Sequence, residues 1–164
     1  MNELLSKLSS YNIFNYLLPG AVFSILAERI ALLKPPDQIV EQLVWYYFLG
    51  MVISRLGSIV VEPILKRVKF VTYSDYNDYL TACKSDQKLE TMVEVSNTYR
   101  TIATAFFALL VGVLYVSASK WIGVEAVLQG KIAIGLLLAL FLLSFRKQVG
   151  FVVRRVKHCT KEIK

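Results

Sequence analysis

The stretch IATAFFALLVGVLYVSAS, residues 102–119, carries no Lys, Arg, Asp or Glu, and it decides the solvent of this chain. An α-helix rises about 1.5 Å per residue, so about 20 such residues cross a hydrocarbon core of about 30 Å. Working outward, three further apolar stretches occupy residues 13–33, 39–65 and 127–145. The chain is 164 residues long and 55% hydrophobic, with a mean hydropathy of +0.52. A soluble domain of that size cannot bury so much apolar surface. None of the stretches shows the period-two alternation of a membrane β-barrel. Backbone groups in lipid must be satisfied within the segment, so each stretch is read as a helix. The expected fold class is therefore all-α: a polytopic membrane protein with four transmembrane helices, short outer loops and a helical cytoplasmic hairpin. Its divisions are a first transmembrane hairpin (1–65), a cytoplasmic helical loop (66–100), a second transmembrane hairpin (101–145) and a basic tail (146–164).

Orientation follows from the cations. The chain holds 19 Lys and Arg against 12 Asp and Glu, a net charge of +7. Most of the cations fall in the 66–100 loop and the tail, whereas Arg29, Lys34, Lys120 and Lys131 fall on the other side. The positive-inside rule then places both termini and the middle loop in the cytoplasm. No cleavable signal peptide is evident at the start. Cys83 and Cys159 lie on the reducing side, without CxxC spacing, and read as ordinary small residues.

Local signals fill in the outline. Residues 1–10 read as an amphipathic lead-in with Leu4, Leu5 and Leu8 on one face, followed by Tyr11, Phe14 and Tyr16 at headgroup depth. Pro19-Gly20 either kinks the first span or starts its helix. Pro35-Pro36-Asp37 makes a stiff outer turn, and Pro63 closes the second span before Lys66-Arg67-Val68-Lys69. Ser74 and Ser85 are the expected N-caps of two helices in the middle loop. No Gly or Pro lies between Asp86 and Gly112, so the second of these helices is expected to run unbroken into the third span. The fourth span must recruit residues 127–131 to reach across, and the tail after it reads as mobile.

Charges inside the membrane are the sharpest functional signal. Arg55, Glu62 and Glu28 are the pore or gate candidates, since a charge at the bilayer centre costs about 2.5–3.5 kcal/mol and faces protein or water. Glu62 stands seven positions after Arg55 on the same helical face, so the plainer reading is structural: Arg55 paired with Glu62 or with a neighbouring subunit's carboxylate, or snorkelling to lipid phosphate. Gly20 with Ser24, Gly50 with Ser54 and Ser58, Ala108 with Gly112, and Gly135 with Ala139 place small residues at four-residue spacing, the pattern of close helix packing. Four short helices enclose little interior. A homo-oligomer, with a tetramer as the working assembly, is expected. Lys66, Arg67, Lys69 and Arg100, beside Tyr73 and Tyr76, form a candidate site for an anionic nucleotide or oligonucleotide, with the rings as base platforms. Lipid contact and ordinary packing explain the same residues. Enzyme readings fail: the one histidine, His158, supports neither a zinc site nor a His-based triad. Gly130-Lys131 lacks the rest of a P-loop, and no GxSxG occurs. No metal or other cofactor is expected.

Tyr11-Asn12-Ile13-Phe14-Asn15 with Pro19-Gly20, then Gly50, Ser54-Arg55-Leu56-Gly57-Ser58, Glu62-Pro63 and Asn97-Thr98-Tyr99-Arg100, resembles a family of small four-helix inner-membrane proteins of bacterial antiphage defence operons. The resemblance covers about the first hundred residues. Similar small membrane proteins occur in Hailong, whose channel effector is gated by an oligonucleotide messenger. They occur also in Kiwa, whose membrane component works with a cytoplasmic DNA-binding partner. The resemblance implies a role in host defence, but no ligand residue carries over from it. The expected function is a homo-oligomeric channel-type effector of the inner membrane, gated by a cytoplasmic nucleotide signal and depolarising the cell. The alternatives are a non-conducting scaffold that recruits a cytoplasmic defence partner, and a holin-like or superinfection-exclusion protein.

Overall fold

A computed structural model describes residues 13–30, 32–122 and 125–162 of the chain, and the expected lead-in over 1–10 lies outside them. A π-turn, Ile13–Leu17, leads into α1, Leu18–Arg29. Helix α2, Ile39–Leu56, passes through a second π-turn, Gly57–Val61, into the short α3, Glu62–Arg67. Helix α4 is Tyr76–Ser85, and it is followed by two long helices, α5 (Lys88–Ile122) and α6 (Ala126–Glu162). The described residues contain no strand. Three helical runs, Ile39–Arg67, Lys88–Ser119 and Val127–Thr160, are long and apolar enough to cross a membrane. The first apolar stretch is shorter: its helix stops at Arg29, and the Ala27 carbonyl accepts from Leu32 N at 2.8 Å as the chain turns.

Both π-turns have the same cause. Proline in an α-helix drives its ring against the carbonyl four residues back. For Pro19 and Pro63 those residues are Asn15 and Ile59, and each lies within a π-turn. The wider i→i+5 winding makes room for the ring. The α-helix α1 thus begins one residue before Pro19, the second of the two expected arrangements, and Pro63 does not end its helix, which runs on to Arg67.

Helix α5 is continuous over 35 residues, as the absence of breakers predicts. Helix α6 is continuous over 37, so the tail expected to be mobile is helical through Glu162. At about 1.5 Å per residue each exceeds 50 Å, well over the ~30 Å thickness of a hydrocarbon core. The expected serine caps are displaced by one residue. Asp75 accepts from Asn77 N at 2.8 Å and Asp86 from Lys88 N at 2.9 Å, while Ser85 donates back to the Ala82 carbonyl. Aspartate wins because an ionised oxygen accepts the orphan N–H of a helix start more strongly than a hydroxyl does.

The core is small: Phe23, Ala27, Ile53, Ala105 and Leu109, where α1, α2 and α5 meet. Helices α1 and α2 are antiparallel and touch backbone to backbone. A side chain at Gly20 would strike the Tyr46 carbonyl, and one at Gly50 the Tyr16 carbonyl. Trp45 Nε1 donates to the buried Ser24 hydroxyl at 3.1 Å across the same seam. Helix α6 lies outside this core, packed on α2 and the second π-turn.

Candidate functional site: a charge hub on Glu62

The chemistry of the hub begins with a missing donor. In the second π-turn, Glu62 N bonds to the Gly57 carbonyl. The next donor in that pattern, for the Ser58 carbonyl, is residue 63, a proline with no N–H. The orphaned oxygen takes its hydrogen bond from another helix. Lys147 Nζ, on α6, donates to the Ser58 carbonyl and to the Ser58 hydroxyl, both at 2.7 Å. The same ammonium stands 3.6 Å from Glu62 Oε2.

Glu62 gathers two more cations. Lys66, one turn on, donates to Oε1 at 2.8 Å, and Arg100 Nη1, on α5, donates to Oε2 at 2.6 Å. The carboxylate side chain is 10% exposed, Arg100 19%, Lys147 30% and Lys66 45%. One buried carboxylate thus joins α3, α5 and α6, and three cations share it, leaving two positive charges in excess. Helix α5 approaches closely because Gly57 faces it: a Cβ there would lie 2.6 Å from the Thr104 hydroxyl. Thr104, fully buried, returns its hydroxyl to the Arg100 carbonyl at 2.7 Å.

The expected Arg55–Glu62 pair does not form. Arg55 Nη2 instead donates to the Tyr16 hydroxyl at 3.3 Å, tying α2 to the first π-turn. The reason is rotational. A π-turn inserts about one residue, or about 100° of helix rotation, between the two side chains and swings Glu62 off the Arg55 face. Glu28, the third gate candidate, is exposed near the far end of α1. Glu62 alone of the three enters the hub.

The expected ligand residues also divide. Lys66 and Arg100 belong to the hub, whereas Arg67 and Lys69 are exposed beyond it. Lys69 adopts φ 59°, the one positive φ among described non-glycine residues. It closes α3 as Phe70 N bonds to the Leu65 carbonyl and Lys69 N to the Lys66 carbonyl, the Schellman pattern. The tyrosines meet the protein's own cations. Lys66 Nζ lies 4.1 Å from the Tyr73 ring centre, and the Arg154 guanidinium 5.2 Å from that of Tyr76, which also packs on Phe151 at 5.5 Å. These rings hold α4 and its approach against α3 and α6, so a stacking base would compete with them.

Beyond Tyr76, α4 and α6 enclose a cavity of about 120 Å³ lined by Tyr79, Cys83, Arg155, His158 and Cys159 among others. Both cysteines of the chain line it. The Tyr79 phenol is pushed up to about 12, first by its hydrogen bond with Cys83 and then by burial. It is therefore neutral at any physiological pH.

Of the packing candidates, Gly20, Ser24, Gly50 and Ser54 are buried where helices meet. Gly112 abuts Leu32, and Ser58 serves the hub. Lys147 was missed because it reads as one more tail cation. The signal that could have found it is Pro63, whose absent N–H demands a donor for Ser58 from elsewhere. No protein-family model, curated protein or solved structure matches this chain.

Proposed function

We propose that this chain crosses the bacterial inner membrane four times, with both termini cytoplasmic, and acts as a homo-oligomeric, channel-type effector whose gate is the Glu62 hub. The first crossing is the π-turn and α1, supported by their backbone contact with α2 through Gly20 and Gly50. The hub is the observation that carries the reading. It ties all three long helices at one point, and α5 and α6 run unbroken through it into the end of the molecule that carries α4. A ligand on the basic face of that end would move those helices and loosen the shared carboxylate. Self-association, for which a tetramer is the working assembly, is supported by the small residues of α6. Gly130 and Gly135 face open space within one chain. A role in antiphage defence rests on the resemblance of residues 11–100 alone.

Current recorded across planar bilayers, with and without nucleotides or short oligonucleotides, tests the effector. Ligand-dependent conductance that becomes constitutive in Glu62→Gln is the expected outcome, and membranes silent under every condition remove the channel. Orientation is tested at Cys159, which is exposed. A membrane-impermeant maleimide should label it only after cell lysis; labelling of intact cells would invert the topology. A second reading, a scaffold for a cytoplasmic partner, is favoured by the end of α6, where exposed Val152, Val153 and Val156 alternate with Arg154, Arg155 and Lys157. It predicts co-purification of a partner that charge reversal on that face abolishes, with membrane potential unchanged.

A further inference from the structure

The charges at the hub do not balance. Three cations, two of them at least two-thirds buried, converge on one carboxylate. A partly desolvated cation is costly unless an anion compensates it. Arg100 adds a second sign: its Nε is closed to solvent and has no acceptor. One guanidinium N–H of Arg100 is thus left without an acceptor beside Glu62, and phosphate and carboxylate oxygens accept from the same N–H donors. Lys147 and Lys66 supply the remaining positive field.

The turn after α3 locates the hub relative to the bilayer. Val68 is 65% exposed and Phe70 77% exposed, on either side of the left-handed Lys69. Apolar side chains held outward beside Lys66, Arg67 and Lys69 form an interfacial anchor, with rings and aliphatic groups in the acyl boundary and cations among headgroups. Lys66 belongs to both the anchor and the hub. In the proposed orientation, that anchor puts the phosphate plane of the leaflet next to Glu62.

We infer that the Glu62 hub is a binding site for a phosphate group, supplied by the headgroup of an anionic phospholipid and held by Arg100, Lys147 and Lys66. Glu62 is then the internal competitor of that phosphate, a carboxylate that keeps the cations together when the site is empty. The inference rests on the proposed placement of the hub at the cytoplasmic face, and it adds a lipid ligand to the gate itself, separate from the signal proposed for the α4 end.

The test uses the full chain in nanodiscs of phosphatidylcholine, with or without phosphatidylglycerol. Retained lipid is read by native mass spectrometry and stability by thermal unfolding. Wild type should retain phosphatidylglycerol selectively and melt higher in its presence. Lys147→Met with Lys66→Met should weaken retention roughly tenfold or more, whereas Glu62→Gln should strengthen it by a similar factor, because a competing charge at contact distance has gone. A purely structural hub predicts the opposite for Glu62→Gln: a looser protein that holds less lipid. Should Glu62→Gln fail to fold, Lys66→Gln alone, at the most exposed of the three cations, should still lower retention severalfold. Equal retention of the two lipids by wild type overturns the site. Stabilisation by inorganic pyrophosphate in phosphatidylcholine discs, matching that by phosphatidylglycerol, overturns the lipid as the source. A conducting protein without lipid preference sinks this site and spares the channel; a lipid-selective protein silent in bilayers does the reverse.

Discussion

Helices α1 and α2, and again α5 and α6, follow one another across short connections with small residues at four-residue spacing, yet only the first pair is zipped together. Gly20 and Gly50 press against the opposing backbone, while Gly130, Gly135 and Gly150 of α6 have nothing within 4 Å. Among the described residues α5 packs on α1 and α2, and α6 on α2 and the second π-turn, rather than closely along each other. The contrast teaches that apolarity does not select which faces meet in lipid. Acyl chains solvate leucine as well as another helix does, so close backbone approach and polar contacts decide. The first pair has the former. Helix α6 is held by the latter, through Lys147.

Substitution at the glycines should break this contrast most sharply. Gly20→Leu or Gly50→Leu must separate α1 from α2 and is expected to cost about 3 kcal/mol or more, beyond ordinary overpacking. Unfolding in mixed detergent micelles would read it. Gly135→Leu should leave the single chain's stability within about 0.5 kcal/mol and lower self-association in a crosslinking assay. Unaltered unfolding of the Gly50 variant would show that the zipped pair is wrongly assigned.

The hub comes next in size. Lys147→Met strips the half-buried Ser58 carbonyl and part of a buried carboxylate of their donor, and is expected to cost about 1–3 kcal/mol. The loss should appear as freer motion of α6, measured by spin labels on α6 and α2. Tyr16→Phe removes the neutral partner of Arg55 at 3.3 Å and should cost roughly 1 kcal/mol, sparing α6. The turn after α3 offers the last variant, Lys69→Gly. It relieves a non-glycine residue at φ 59° and should stabilise by about 0.5–1 kcal/mol; a melting temperature that falls instead would mean that the Lys69 ammonium contributes more than its backbone strain costs.

How far the residues announced this arrangement depends on the distance over which each cause acts. The 35-residue α5 was legible because helix continuity needs only the absence of Gly and Pro over a local window. Glu62 was legible as a charge in an apolar run. Its partner was not, because seven-residue spacing assumes uniform α geometry. Pro63 replaces that geometry with a π-turn, and the rotation sends Glu62 toward residues 38 and more positions away. The helical tail was missed for a related reason. Its charge suggested solvation, whereas its helix is continuous with a span and is held through Phe151 and Arg154 against Tyr76.

Hydropathy, read along the chain, was sufficient to announce an all-helical chain with runs long and apolar enough to cross a membrane, because insertion free energy is a sum over neighbouring residues. Tertiary structure alone decided that Glu62 belongs to Arg100 and Lys147 rather than to Arg55, and that glycines of equal spacing are used in α1 and α2 but left open in α6. Those choices depend on which backbones can approach and which orphaned carbonyl needs a donor, and such constraints act between residues as far apart as Ser58 and Lys147, 89 positions along the chain.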